Sequence, residues 1–395
     1  MQRFWGAPVR LWTRAAGSQR TSDWPRYTPI PGHRRSLRNA DYMSDRTSKF
    51  GNRAVHGRFS SIGVLAAVAP WIVITSLIYI ALFTHPGTVG DVVVAPPISR
   101  IDNFYGVATA SDGYVWLAGN AGKIVRSTDG GRHWIIQPTP TRANLQALAA
   151  WNPSDVVAVG DQGTVMLTRD GGDTWTDVPS VPKNKEFNKL LSVRILPDGA
   201  AWAVGEDGAV LKSTDRGTSW KRMRAPQDVT LHDIAGVGSQ IWAVGEFGKI
   251  VTSSDEGATW SEESTGVDST LNAVQFRDAL HGVAVGLEGT ILTTYDGGAH
   301  WGKASLQSMD EHLFAVSWNG QRWLVAGANG VIATAGADAS RWGQASLPQA
   351  NTHWHTSVVP LGSNWLLVGS SVGFYSSVTN KWERVISSTR RHPRG

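Results

Sequence analysis

The sequence predicts an all-β fold, a seven-bladed β-propeller of four-stranded antiparallel blades, on three observations. A tryptophan returns about every 41 residues, at Trp134, Trp175, Trp220, Trp260, Trp301, Trp342 and Trp382. A glycine keeps step with it, at Gly119, Gly160, Gly205, Gly245, Gly286, Gly327 and Gly369. Five of the tryptophans close a turn that reads Ser/Thr-x-Asp-x-Gly-x-x-Trp. A fixed period of roughly 40–50 residues marks a repeated supersecondary unit. Units of four short strands stack around an axis, and closing the ring removes the open sheet ends.

The third unit, "AWAVGEDGAVLKSTDRGTSW", shows the elements in order. Ala201–Val204 is apolar and reads as a strand. Gly205-Glu206-Asp207-Gly208 reads as a tight hairpin turn, in which glycine takes the positive φ that other residues resist. Ala209–Lys212 returns, and Trp220 opens an outer strand. "LHDIAGV", Leu231–Val237, then reads as the inner strand of the next unit. The polar turns are Asp-boxes: Ser127–Trp134, Thr168–Trp175, Ser213–Trp220, Ser253–Trp260 and Thr294–Trp301. Their aspartates (Asp129, Asp170, Asp215, Asp255, Asp296) can accept nearby backbone N–H groups, as Asx turns do. The same local duty five times over is structural. Units six and seven ("TAGADASRW", "SSVTNKW") keep only the tryptophan.

Residues 101–387 hold the propeller, and 84–100 form a linker with a candidate ring-closing strand at Asp91–Pro97. Ser61–Phe83 is uncharged and, at about 1.5 Å per residue, long enough to cross a bilayer. It reads as an uncleaved signal anchor. Residues 1–60 carry 12 Lys/Arg against three Asp and lack an apolar period, so they read as a disordered arm. Met43 is an alternative start that leaves a short basic flank. The positive flank is expected in the cytoplasm, with the propeller on the periplasmic side of the inner membrane, or the lumenal side of a thylakoid. Residues 388–395 are a basic tail.

The overall net charge of +5 hides an acidic propeller, with 22 Lys/Arg and 29 Asp/Glu between residues 84 and 389. Nucleic acid is therefore not an expected partner. Cysteine is absent, which removes disulfides, thiol chemistry and zinc–thiolate sites. No metal or cofactor is expected.

The frame "AVGxxGxIxxTxDGGxTW" resembles the photosystem II stability/assembly factor family. It recurs as "AVGDQGTVMLTRDGGDTW" (Ala158–Trp175), "AVGEFGKIVTSSDEGATW" (Ala243–Trp260) and "AVGLEGTILTTYDGGAHW" (Ala284–Trp301). The resemblance covers about Ile101 to Ile386. It implies a non-catalytic propeller that holds membrane subunits, a membrane protein complex or its assembly intermediates, from the lumenal side. Members usually carry a cleaved signal or a lipid-bearing cysteine, and this chain departs from both. The rival is an Asp-box glycoside hydrolase or carbohydrate binder. A sialidase needs six blades, an arginine triad and a Tyr–Glu pair. Here tyrosine in the propeller is limited to Tyr105, Tyr114, Tyr295 and Tyr375.

Two sets of turns are expected on one face of the disc. The turns between second and third strands carry an acidic arc, Asp161, Glu206, Asp207, Glu246 and Glu288. The loops between blades carry a basic arc, Arg142, Lys183, Lys185, Lys189, Lys221, Arg222 and Arg224, around the insertion "PSVPKNKEFNK". An insertion on a rigid scaffold is where binding tends to sit. His232, His312, His353 and His355 fall near inner-strand starts, and the last two would point the same way on a strand. Oligomeric state stays open, with a monomer as the expectation.

Overall fold

The computed structural model describes residues 70–76, 79, 96–182, 189–304, 310–345 and 352–385. The chain divides into two compact units, Met1–Gly87 and Thr88–Gly395. In the first, residues 70–76 and 79 are helical. Among the described residues no helix is long and apolar enough to cross a membrane. Most of the apolar segment, all of the basic arm, Asp91–Ala95 and the basic tail lie outside them.

The second unit is a propeller of seven four-stranded sheets, each built from four consecutive antiparallel strands. The inner strands are Phe104–Thr109, Leu145–Ala150, Leu190–Ile195, Leu231–Val237, Leu271–Phe276, Leu313–Trp318 and His355–Leu361. Each packs on the next, and the first packs on the seventh to close the ring. Closure is apolar: Ile98, Phe104 and Val107 cluster with Leu366, Val368 and Val372. Every blade is complete from its own four strands, and Pro96 and Pro97 take no strand. The second strands are buried along nearly their whole length on both faces, as stacking of blades requires.

The hairpin turn corrects the reading of the frame glycine. In the second blade, Gln162 (φ 60°) and Gly163 (φ 63°) are the left-handed pair, and the Thr164 N–H donates to the Asp161 carbonyl. That is a type I′ turn, whose twist suits a hairpin. Gly160 itself is extended (φ −171°). It is glycine because a Cβ there would lie 2.1 Å from the Asn144 carbonyl oxygen. All seven frame glycines meet the same obstacle, at 2.0–2.1 Å. The next residue's N–H donates to that same carbonyl in every blade, as Asn120 to Asn103, Asp161 to Asn144 and Glu206 to Lys189. The turn is thereby clamped to the chain entering the inner strand.

The Asp-box lies between the third and fourth strands and does two things. It folds on itself: the Ser127 Oγ accepts the Gly131 N–H, and Asp129 Oδ1 accepts the N–H groups of Arg132 and His133. It also clasps the preceding blade. The indole N–H of Trp116, in blade one, donates to the Gly171 carbonyl in the box of blade two. Trp242 of blade four does the same to Gly297 of blade five. A Cβ at Gly257 would sit 2.4 Å from the Trp202 ring. These second-strand tryptophans are fully buried.

Gly245→Ala is expected to destabilise the propeller by about 2–3 kcal/mol, because the clash is with backbone that cannot move aside. Gly343→Ala faces open space at an ordinary φ and is expected to be neutral or slightly stabilising. Thermal unfolding of the two variants checks this.

Candidate functional site at the channel mouth

The clamp has a consequence for the ring axis. In each inner strand the first residue pairs with the frame glycine and the third with the residue before it, so the second is skipped. This is a β-bulge in all seven blades. Bulges re-aim side chains and recur beside binding sites. The bulged residues are Tyr105, Gln146, Leu191, His232, Asn272, Phe314 and Thr356. All seven are half-buried while the residue before each is buried. All but Leu191 line the axial channel.

The ring is neutral and part aromatic. Tyr105 stacks parallel on Trp354 at 5.9 Å. Burial, with Asp161 nearby, raises the Tyr105 pKa, and burial lowers that of His232, so both stay uncharged near neutrality. Gln146 donates to Asp161, and Asn272 donates to the Leu313 carbonyl.

One charge pair sits in the channel wall. Asp233, 4% exposed, accepts Ser192 Oγ at 2.7 Å, Arg194 Nε at 3.1 Å and Arg194 Nη2 at 3.0 Å. It also accepts the Val274 N–H at 3.2 Å, which joins blades three, four and five. Arg194 is surrounded by the ring yet 48% accessible to channel solvent. Asp233 raises its pKa. Superposing the repeats places Ala108, Ala149, Ala235, Gln275, Ser317 and Val359 at the position of Arg194. A charge where the other repeats are uncharged is the signal that aligning the units would have given.

Some described members of the two arcs meet, whereas Lys221, paired to Lys212 beside the Asp-box, lies toward the opposite face. Asp161 accepts Asn144 Nδ2 and Gln146 Nε2 and lies 3.9 Å from Lys189 Nζ. Glu206 accepts the Lys189 N–H, and Glu246 accepts the Thr230 N–H. Asp207 pairs with Arg222 at 3.5 Å. The Glu288 N–H donates to His312 Nδ1. Lys221 and Arg222 form the outer strand of blade three, paired to Leu211 and Lys212, so they are not loop residues. Arg224 is half-buried and pairs with Glu262 at 3.0 Å. Arg142 and Lys221 are exposed. Lys183, Lys185 and most of the insertion lie outside the described residues.

His353 and His355 do not act as a pair. His353 precedes the strand and meets Ser370, while His355 is buried against Ser371 and Trp382. Among the described residues no group of three His, Asp or Glu side chains could hold a metal. One further feature marks this face. Phe247, 72% exposed, holds φ 58° in the turn of blade four. That φ belongs to the type I′ turn, as at Gln162, and the turn presents the ring to solvent.

Asp233→Ala is expected to cost about 3 kcal/mol, the low end for breaking a buried pair, because Arg194 keeps channel water. The box aspartates make a second prediction. Hydrogen bonds from the Thr259 side chain and N–H hold Asp255 at about 2, and those from the His300 N–H and ring hold Asp296 at about 2. The unfolded value is about 3.9. The folded carboxyl binds its proton more weakly. Its stabilisation is therefore complete above pH about 4 and is lost as pH falls through about 2. Melting temperature against pH should drop in that window, and Asp255→Asn with Asp296→Asn should flatten the drop.

Comparisons with known proteins agree with this architecture. A model of the family described as photosynthesis system II assembly factor YCF48 matches residues 136–233 and 260–380, more than half of the chain. The photosystem II assembly lipoprotein Ycf48 of Synechocystis sp. is 32% identical over 108 residues, 26% of this chain and 30% of that protein. The photosystem II assembly protein Ycf48 of Thermosynechococcus vestitus is 34% identical over 108 residues, again 26% and 30%. The matched stretch thus spans under a third of the length of these curated relatives. The solved structure described as YCF48 bound to D1 peptide covers 68% of this chain and 91% of its own, at 17% identity and a TM-score of 0.57, which shows the shared fold. By the family match, this chain belongs to the photosystem II assembly factor Ycf48 family.

Proposed function

We propose that the propeller is a non-catalytic docking scaffold that holds a peptide segment of a membrane protein complex, or of its assembly intermediates, at the channel mouth. The ring of bulged side chains carries this reading. It presents aromatic and amide groups around one accessible cation, a chemistry suited to a peptide's backbone, side chains and carboxylates. Asp233 is engaged by Ser192, Arg194 and the Val274 N–H. A carboxylate held in this way is poorly placed to act as nucleophile or base. The family membership supports an assembly or stability role, and the related structure holds a peptide.

The anchor belongs to the same proposal. One relative is named a lipoprotein, whereas these 395 residues contain no cysteine. The uncharged segment Ser61–Phe83 serves as the anchor instead, and the Arg-rich flank keeps residues 1–60 in the cytoplasm. The propeller then works on the periplasmic or lumenal side. The basic residues Arg142, Lys183, Lys185 and Lys189 provide a rim that steers an acidic client segment to the mouth.

The test is capture of the client from crosslinked native membranes by the tagged full chain. One recurrent membrane complex is expected. Tyr105→Ala with Phe314→Ala should lower its recovery by roughly tenfold at unchanged expression, as loss of central aromatic anchors does. Lys183→Glu, Lys185→Glu and Lys189→Glu together should lower it further at low salt. Undiminished recovery by the aromatic variant would exclude the channel mouth as the docking site.

A further inference from the structure

The face opposite the channel mouth has its own cavity, of about 470 Å³, between blades two, three and four. Its wall includes Trp151, Asp198, Lys212, Thr214, Arg216 and Glu256. Two features single it out. The first is backbone strain at two adjacent boxes. The residue after the box aspartate is glycine in blades one, two and five, at Gly130, Gly171 and Gly297, all with φ near +75°. In blades three and four it is Arg216 (φ 55°) and Glu256 (φ 56°). Both of these strained residues line this one cavity. Long charged side chains are uncommon at such φ values, where glycine carries no strain.

The second feature is that the wall is held in place. Arg216 is tied to Asp155 at 3.1 Å, and its carbonyl accepts from Arg169. Lys212 lies over the Trp202 ring at 4.9 Å and 3.8 Å from Glu256. The Trp151 indole N–H is fixed on the Gly199 carbonyl. A preformed concave site of several hundred Å³ fits a small ligand.

We propose that this cleft binds a neutral saccharide. Two cations and two carboxylates line it, so its charge balances. An anionic ligand meets Asp198 and Glu256, and a cationic one meets Lys212 and Arg216. Hydroxyl groups, which donate and accept, satisfy both signs at once, and the half-exposed Trp151 adds an apolar edge for a sugar ring. This site is independent of peptide docking at the channel mouth.

The experiment is calorimetric titration of the purified full chain with maltose, cellobiose and chitobiose, in a detergent without a sugar headgroup. Glucose 6-phosphate and glucosamine serve as charged probes. At least one neutral disaccharide should bind in the millimolar range or tighter, and more tightly than either charged probe. Arg216→Gly with Glu256→Gly restores the glycine that three other boxes carry. That variant should weaken binding at least roughly tenfold while its melting temperature holds or rises by about 1–2 °C. Absence of binding by all three disaccharides would overturn the proposal. So would binding that survives in the double variant, or tighter binding of a charged probe.

Discussion

In every blade, the carbonyl ahead of the inner strand comes so close to the frame glycine that no side chain fits between them. A Cβ at any of the seven would lie 2.0–2.1 Å from that oxygen. The approach lets the first turn residue donate its N–H to the same carbonyl. One carbonyl thus ties the hairpin turn to the start of the inner strand. With both ends fixed, the inner strand has one residue too many for its ladder, and that residue bulges. A rule of sheet geometry, repeated around a ring, therefore builds a set of seven bulged side chains, six of which line the channel. In several blades the turn residue adds a second tie through its side chain, as Glu206 and Glu246 do to the N–H groups of Lys189 and Thr230. Acidic residues there serve the fold as well as the surface.

The two faces of the disc obey different logics. At the mouth, the clamp is uniform and the bulged residue varies from blade to blade, so the scaffold is constant and the chemistry is local. On the opposite face, the Asp-box recurs in five blades and clasps the preceding blade through buried tryptophans such as Trp116 and Trp242. Variation enters where a box carries Arg216 or Glu256 in place of glycine. In both places a repeated backbone device frees a single position to differ.

The blade count and the inner strand Leu231–Val237 were legible in the sequence, because a period fixes both without reference to packing. The role of the frame glycine was not. Glycine answers either a positive φ or a close approach, and a sequence does not show which. Gly208 answers the first and Gly205 the second. Arg222 looked like a free surface cation because its partner, Asp207, lies 15 residues away on the neighbouring strand's turn. Arg194 and Asp233 were within reach, since alignment of the seven inner strands shows each as a charge among uncharged residues at its position. The cleft around Trp151 was out of reach, because residues from three blades meet there.

Site-specific photocrosslinking in native membranes tests the docking account most directly. A photoreactive amino acid placed at Phe314, on the bulge ring, is compared with one at Ile136, on the outer strand of blade one. The account predicts an adduct with one membrane subunit from position 314 and none from position 136. An adduct from the outer strand with none from the ring would contradict it.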